Sequence, residues 1–373
     1  MKQFSLIPCI LECGTVREMA EALSLGARDL ILTNAYIYNP TFAALDLPCH
    51  TLFQEEFGSG EPTDVMVDSI LSALAGKDFD RIIAVGGGTV IDIAKALCVA
   101  GKGDTVDALY DRMADLKKEH GLVIVPTTCG TGSEVTNISI INRTTRGIKQ
   151  GLVHPSMYAD DAVLVPELLA SLPYPVFATS SIDAMIHAVE SFLSPNASPL
   201  SELFSTAALR LILSGYRAIA GQDKDAWKAR AADFLRASNL AGIAFGNAGC
   251  AAVHAMSYPL GGQFHIPHGE ANQLMFAAVL RRYQKKDPTG SKLVALEGLL
   301  AEVLDVDTPC ALDALCTLMD TILARRPLRD YGVTDADVQA FVPNVIETQQ
   351  RLLKNNYTAL TADDMLAIYR SVL

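Results

Sequence analysis

Apolar residues in the first part of the chain come in short unbroken runs, whereas those in the rest recur at helical spacing. Asp29–Thr33 (Asp-Leu-Ile-Leu-Thr), Phe79–Val85 and Leu122–Val125 are almost continuously apolar, as expected of strands buried on both faces. Residues 1–13 are rich in β-formers and stop at Gly14, and 15–25 and 89–100 carry helical spacing. Strands alternating with helices predict a parallel sheet with crossover helices. After about residue 166 the β-branched runs give way to Ala- and Leu-rich amphipathic stretches. They predict helices near 178–193, 201–220, 226–245, 270–284, 292–303, 311–325, 335–354 and 362–371. The expected architecture is an α/β domain over 1–166 and an all-helical domain over 167–373. No Gly- or Ser-rich linker separates the two, and no internal repeat is present.

The segment 237–269 contains no Asp, Glu, Lys or Arg. Its length suggests a membrane span, but Asn239, Asn247, His254 and Pro259 fall inside it. A buried core helix followed by a turn fits better.

Composition narrows the function classes. The chain has 373 residues, half of them hydrophobic and 19% charged, which suits a two-domain globular enzyme and excludes a disordered chain. The net charge of -12 gives no reason to expect nucleic acid or an anionic membrane as partner. An anionic substrate needs a local basic patch against that field. Eight cysteines are scattered with no Cys-x-x-Cys pair, which points to a reducing compartment. The short N-terminal apolar stretch is broken by Pro8 and does not read as a secretory signal, so a cytoplasmic location is expected.

Two glycine-rich loops each follow a predicted strand. Gly86-Gly87-Gly88-Thr89-Val90-Ile91-Asp92 opens a helix. Glycines there let the backbone approach a pyrophosphate, and the helix start supplies N–H groups and a positive dipole end. The pattern is not Gly-x-Gly-x-x-Gly, so the usual Rossmann fingerprint is absent. Pro126-Thr127-Thr128-Cys129-Gly130-Thr131-Gly132-Ser133-Glu134 offers hydroxyls and small residues that cannot pack a core. Two such loops after parallel strands suggest one dinucleotide crevice at the carboxyl ends of the sheet.

Asp183 and His187 stand four apart in a run of helix formers, which stacks them on one helical face. The pattern alone fits an ordinary hydrogen bond on a helix surface. Their neighbours are Ile, Ala, Met and Val, however, and a buried carboxylate is costly unless it is paired or holds a metal. His254 and His268 flank a Pro/Gly stretch, with His265 between them. One carboxylate and several imidazoles suit Fe(II) or Zn(II).

These segments resemble the iron-containing alcohol dehydrogenase family. The shared patterns are Asp-Ala-x-x-His-Ala-x-Glu from Asp183, His-Ala-x-x-x-Pro-Leu-Gly from His254 and Pro-His-Gly-x-Ala-Asn around His268. Both glycine loops also match. The resemblance implies a Rossmann-like dinucleotide-binding domain and a helical metal-binding and substrate domain, together a dehydroquinate synthase-like fold. It implies Asp183, His187, His254 and His268 as metal ligands, with Fe(II) favoured and Zn(II) the alternative. Gly87, Gly88, Thr89, Asp92, Thr127, Thr128, Thr131 and Ser133 become the cofactor contacts, with Lys149 near the cofactor phosphate or ribose.

Asn34 stands where relatives that exclude a 2′-phosphate often have Asp, which favours NAD over NADP. Tyr258 replaces a His found in many relatives and is a poor general base at neutral pH. The implied chemistry is hydride transfer between a carbinol carbon and nicotinamide, with the substrate oxygen on the metal and the site in a crevice between the domains. Relatives also suggest a homodimer.

Ile-Leu-Thr-Asn at 31–34, Gly-Ile-Ala-Phe-Gly-Asn-Ala-Gly at 242–249 and Gln-Gln-Arg-Leu-Leu-x-Asn-Asn-Tyr at 349–357 resemble the branch acting on 4-hydroxybutyrate and succinate semialdehyde. Asn247, Tyr258, His265 and Gln263 are near enough in sequence to hold the substrate carboxylate. None is a strong cation at pH 7. Alternatives are another short alcohol, diol or lactaldehyde as substrate, a dehydroquinate synthase-like lyase, and a non-catalytic nucleotide-binding module. The lyase would need a Lys/Arg cluster that the site segments lack, and the module predicts lost ligands.

Overall fold

The alternate side chains of the central strands divide between two cores. Leu30, Leu32, Ile82, Ala84, Leu122 and Ile124 belong to one apolar cluster, and Ile31, Ile83, Val85, Val123, Val125 and Val163 to another. With a side-chain period of two, both faces of the sheet are covered, which is why these segments are continuously apolar. The computed structural model describes residues 3–373 and divides the chain into two units.

The unit Leu6–Leu172 contains strands β1 (Cys9–Glu12), β2 (Asp29–Thr33), β3 (His50–Phe53), β4 (Arg81–Gly86), β5 (Gly121–Pro126), β6 (Ile138–Arg143), β7 (Ile148–Val153) and β8 (Asp161–Leu164). Six form a parallel sheet in the order β1-β8-β5-β4-β2-β3, and β6 and β7 form a separate antiparallel pair. From β2 the chain moves outward to the edge at β3, then returns to β4 and continues through β5 and β8. The winding reverses between β2 and β4, and sheets of this kind bind ligands outside the carboxyl ends at such a reversal.

The predicted strand at 29–33 is present with the same ends, and those at 79–85 and 122–125 are present with ends shifted by one or two residues. The sequence reading missed β3, β6, β7 and β8. β3 is a four-residue edge strand that begins with His50 and Thr51, and β8 is equally short. Neither is long enough to show a period.

The second unit comprises Pro173–Leu373 together with the start of the chain. Phe4 stacks on Phe204 at 5.6 Å, and the backbone N–H of Ser5 donates to the Asn247 side chain at 2.7 Å. Its central element is the Tyr174–Leu193 helix, buried almost all round, as a helix without a polar face must be. The helices Pro199–Ile219, Ala231–Ala248 and His268–Lys286 pack around it. Trp227 stacks on Phe177 at 4.2 Å within this core.

Two expectations need correcting here. The stretch after residue 248 is not a simple turn: a second helix, Ala252–Phe264, runs through Pro259 and ends at His265. Proline removes one helical hydrogen bond, but Met256 and Leu260 on either side are fully buried. Their packing outweighs the local signal. The predicted helix at 335–354 is broken at Gln349 into Asp335–Thr348 and Gln350–Leu353. No single helix among the described residues is long and apolar enough to cross a membrane; the segments on either side of Gly249 pass that test only as a pair bent by 107°.

Candidate active site

Three helices of the second unit bring the four predicted ligand residues together. Asp183 and His187 lie on Tyr174–Leu193, His254 in the first turn of Ala252–Phe264, and His268 at the first position of His268–Lys286. Asp183 Oδ1 is 3.4 Å from His254 Nε2 and 3.6 Å from His268 Nε2, and Asp183 Oδ2 is 3.9 Å from His187 Nδ1. Two ligands about 2.1 Å from one ion at a tetrahedral angle sit about 3.4 Å apart. The separations are too long for ordinary hydrogen bonds and fit donors arranged around a shared cation. Asp183, His187 and His254 are buried, and the His268 side chain is 43% exposed, which leaves one open side.

The donors fall into two overlapping sets, Asp183–His254–His268 and His187–Cys250–His254. Cys250 is a neighbour that sequence reading did not single out. Burial, Glu190 and Asp183 push its thiol well above the usual range, so it stays neutral and is a poor ligand beside the imidazoles. His187 is held by ring stacking, 4.2 Å from Phe245 and 4.5 Å from His254 between centroids.

Two further residues orient the ligands. Glu190 Oε1 accepts the N–H of Val253 at 2.6 Å, and its Oε2 accepts the N–H of Ala251 at 2.9 Å and lies 2.6 Å from His254 Nδ1. The carboxylate therefore caps the Ala252–Phe264 helix and accepts a hydrogen bond from Nδ1–H, which turns Nε2 of His254 toward Asp183. Asn272 Nδ2 donates to Asp183 Oδ1 at 2.8 Å and lies 3.3 Å from His268 Nε2. Periodicity could have found both. Glu190 follows Asp183 by seven residues and Asn272 follows His268 by four, each on the ligand's own helical face.

The electrostatics agree with a cation site. Burial alone would raise the Asp183 carboxyl, but His187, His268 and His254 hold it well below the usual range. Burial alone would lower His254, but Asp183 and Glu190 push it up to about 9. A buried carboxylate pair facing three imidazoles is short of positive charge.

Glycine shapes the approach of the helices. A Cβ on Gly269 would sit 1.9 Å from the carbonyl oxygen of Thr179, so only glycine lets His268 come this close to the Asp183 helix. Gly249 has φ +83°, and a Cβ there would meet Asn355 Nδ2 at 2.3 Å.

The other unit assembles the cofactor candidates. β4 and β5 pair with Gly86 opposite Pro126, and the N–H of Thr127 donates to Gly86 O at 3.1 Å. The two glycine loops thus leave neighbouring strands side by side. Gly87 caps the Gly88–Cys98 helix, and Thr128 and Thr131 lie over Gly87 and Gly88. Asn34 follows β2 across the winding reversal and donates to Glu55 at 2.7 Å and to Gln54 at 3.2 Å. Two predicted contacts are braces inside the protein. Asp92 accepts the N–H of Ile140 at 2.9 Å and the Ser133 hydroxyl at 3.2 Å, and Lys95 Nζ donates to Ser133 Oγ at 2.7 Å. Lys95, fully buried, was missed; its signal is a Lys three residues after Asp92 in an otherwise apolar helix.

Thr89 donates to Gly60 O at 2.9 Å, and Lys149 is an exposed residue paired with Glu61 at 2.6 Å.

The substrate candidates are dispersed. Asn247 spends its amide on Ser5 and Ile243, and His265 is an exposed helix cap with φ 54°. Tyr258 lies one turn after His254, its ring 6.1 Å from that of His268. Burial pushes its hydroxyl up to about 12.

Comparison with known proteins identifies the family. Residues 8–166 match the model of the iron-containing alcohol dehydrogenases, and residues 177–373 match that of the C-terminal region of the same family. The chain belongs to the iron-containing alcohol dehydrogenase family. It is 45% identical over 372 residues to 4-hydroxybutyrate dehydrogenase of Clostridium kluyveri, covering 100% of both chains. It is 35% identical to long-chain-alcohol dehydrogenase 1 of Geobacillus thermodenitrificans, over 94% of this chain and 91% of that one. The fold is shared with sulfoacetaldehyde reductase from Bifidobacterium kashiwanohense in complex with NAD+, at a TM-score of 0.86, 23% identity and coverage of 100% and 98%.

Proposed function

We propose that this protein is an NAD-linked, iron-dependent alcohol dehydrogenase that interconverts 4-hydroxybutyrate and succinate semialdehyde. The observation that carries the reading is the convergence of Asp183 with His254 and His268, flanked by His187, from three separate helices. The full-length identity to the Clostridium enzyme supports the substrate.

Asp183, His187, His254 and His268 would hold a divalent cation, Fe(II) by family and Zn(II) by donor type, and Gly87, Gly88, Thr127, Thr128 and Thr131 would cradle NAD. When bound, the cation supplies Lewis acidity toward an alcohol or carbonyl oxygen and the nicotinamide supplies or accepts hydride.

The chain's own residues do the rest. Glu190 fixes the His254 tautomer, and Asn272 holds the Asp183 carboxylate in place. Lys95, Ser133 and Asp92 brace the second loop from below. Tyr258, with its hydroxyl pushed up to about 12, keeps its proton at neutral pH; it donates a hydrogen bond to the substrate side and does not act as base. Asn34 would meet the ribose without repelling a 2′-phosphate, so NAD is preferred by contacts and not by charge. The enzyme would work in the cytoplasm as a homodimer.

The test is metal analysis of anaerobically purified protein, with NADH formation followed from 4-hydroxybutyrate and from 1-butanol. About one metal per chain and strong preference for the hydroxy acid are expected. A metal-free protein inert toward both substrates overturns the reading.

A further inference from the structure

A four-carbon hydroxy acid carries its carboxylate roughly 6 Å from its hydroxyl oxygen, and none of the residues described so far around the Asp183 cluster is a Lys or Arg. We infer that Arg351, on the short Gln350–Leu353 helix, is the cation that receives this carboxylate and makes the site selective for ω-hydroxy acids over neutral alcohols. The inference rests on the proposed dehydrogenase reading.

The Gln350–Leu353 helix is fastened to the site by Asn355. Asn355 Nδ2 donates to the Cys250 carbonyl at 2.9 Å and to the Arg351 carbonyl at 3.3 Å. One amide nitrogen thus spans the backbone of Arg351 and that of a residue whose thiol lies among the ligand imidazoles. Asn355 Oδ1 accepts from Asn196 at 2.8 Å, and Gly249 leaves room for the amide. Asn355 is itself buried, and the short helix packs on Ala252–Phe264, which carries His254 and Tyr258. The break at Gln349 is what turns this segment toward that helix.

Arg351 differs from its fellow arginines. Most of them face carboxylates, as Arg210 faces Glu302, Arg325 faces Asp320 and Arg370 faces Asp335. Among the described residues the exposed guanidinium of Arg351 pairs with no carboxylate. Burial raises the Tyr258 hydroxyl and the Cys250 thiol, and the Arg351 charge acts the other way on both. Lys292, at the end of the Asp183 helix, is already tied to the carbonyls of Phe192 and Ser194 and to Glu202. Arg offers a planar fork that matches a carboxylate in two hydrogen bonds. In a chain of net charge -12, an unpaired guanidinium beside the site supplies the local basic group that an anionic substrate requires.

The experiment compares wild-type holoenzyme with Arg351→Met and Arg351→Lys on 4-hydroxybutyrate and on 1,4-butanediol, a neutral molecule of the same length. For Arg351→Met, KM for 4-hydroxybutyrate should rise about 10- to 100-fold. kcat/KM for the diol should stay within about two-fold, which also shows that the variant is folded. Arg351→Lys should recover part of the loss. Butyrate binding to the enzyme–NADH complex, followed by calorimetry, should weaken in parallel. Unchanged KM for the hydroxy acid, or equal losses for acid and diol, overturns the role of Arg351. A wild-type enzyme that oxidises the diol but not the acid overturns the substrate reading itself, and this inference with it.

Discussion

The helical cluster around Asp183 and the paired glycine loops are both proposed to hold a charged group, and they are built by opposite means. In the cluster, side chains do the work. Four donors come from three helices, and three of them are steadied by another polar side chain or a ring: Glu190 for His254, Asn272 for Asp183, Phe245 for His187. In the loops, the backbone does the work. Gly87 and Gly88 open a helix beside Thr127 and Thr128, with side chains such as Asp92 and Lys95 turned inward as braces. A side-chain site depends on how closely whole helices approach one another. A backbone site depends on what is missing at two or three positions. Substitutions should therefore fail differently in the two regions.

The largest effect is expected from His268→Ala. Removing a ligand at the open side of the cluster should lower turnover at least about a thousand-fold while NADH fluorescence titration still reports binding at the loops. Equal loss of NADH affinity would merge the two regions and break the contrast. Gly269→Ala comes next. It leaves every ligand in place but puts a Cβ against the Thr179 carbonyl. Overpacking of this kind costs about 1–3 kcal/mol, and metal content after dialysis should fall along with the urea midpoint. Retained metal would mean that helix approach does not set the site.

Lys95→Met probes the brace under the loops. Burial pushes the Lys95 ammonium down to about 8, with Asp92 and Glu134 acting the other way. Its folded-state value lies below its unfolded one, so between about pH 8 and 10.5 the unfolded chain holds the proton more often. Wild-type stability relative to Lys95→Met should therefore rise with pH through that window, by roughly 2–3 kcal/mol. Urea midpoints at pH 7.5, 9 and 10 measure it, and a constant difference between the proteins contradicts it. The smallest effect belongs to Gly88→Ala. A Cβ there meets only Thr131 at 3.4 Å, an ordinary contact, so stability should hold. NADH affinity should fall about ten-fold if a phosphate occupies that space. Unchanged affinity would show that the loop cradles nothing.

The substrate end of the site shows where reading along the chain fell short. Asn247, His265 and Gln263 were chosen for nearness in sequence to the ligands. Asn247 instead ties Ser5 to the Ala231–Ala248 helix, and His265 caps a helix at the surface. Arg351 stands about a hundred residues from Cys250, and no periodicity links the two. Their proximity follows from Asn355 and from a helix break at Gln349 that has no strong local signal. Of the strands absent from the sequence reading, β3 and β8 are short or at an edge.

What the amino-acid order determined by itself was whatever depends on residue type at short spacing. That includes buried strands from unbroken apolar runs, helices from their period, glycine-rich turns after strands, and Asp183 with His187 on one face of an apolar helix. The tertiary structure alone decided which distant groups meet. It set His254 beside Glu190, let His268 approach Asp183 at Gly269, and tied the backbone of Arg351 to that of Cys250 through Asn355. The physical reason is that local preferences act over a few residues, whereas a site is built where helices pack, and packing distance is set by atoms far apart in the chain.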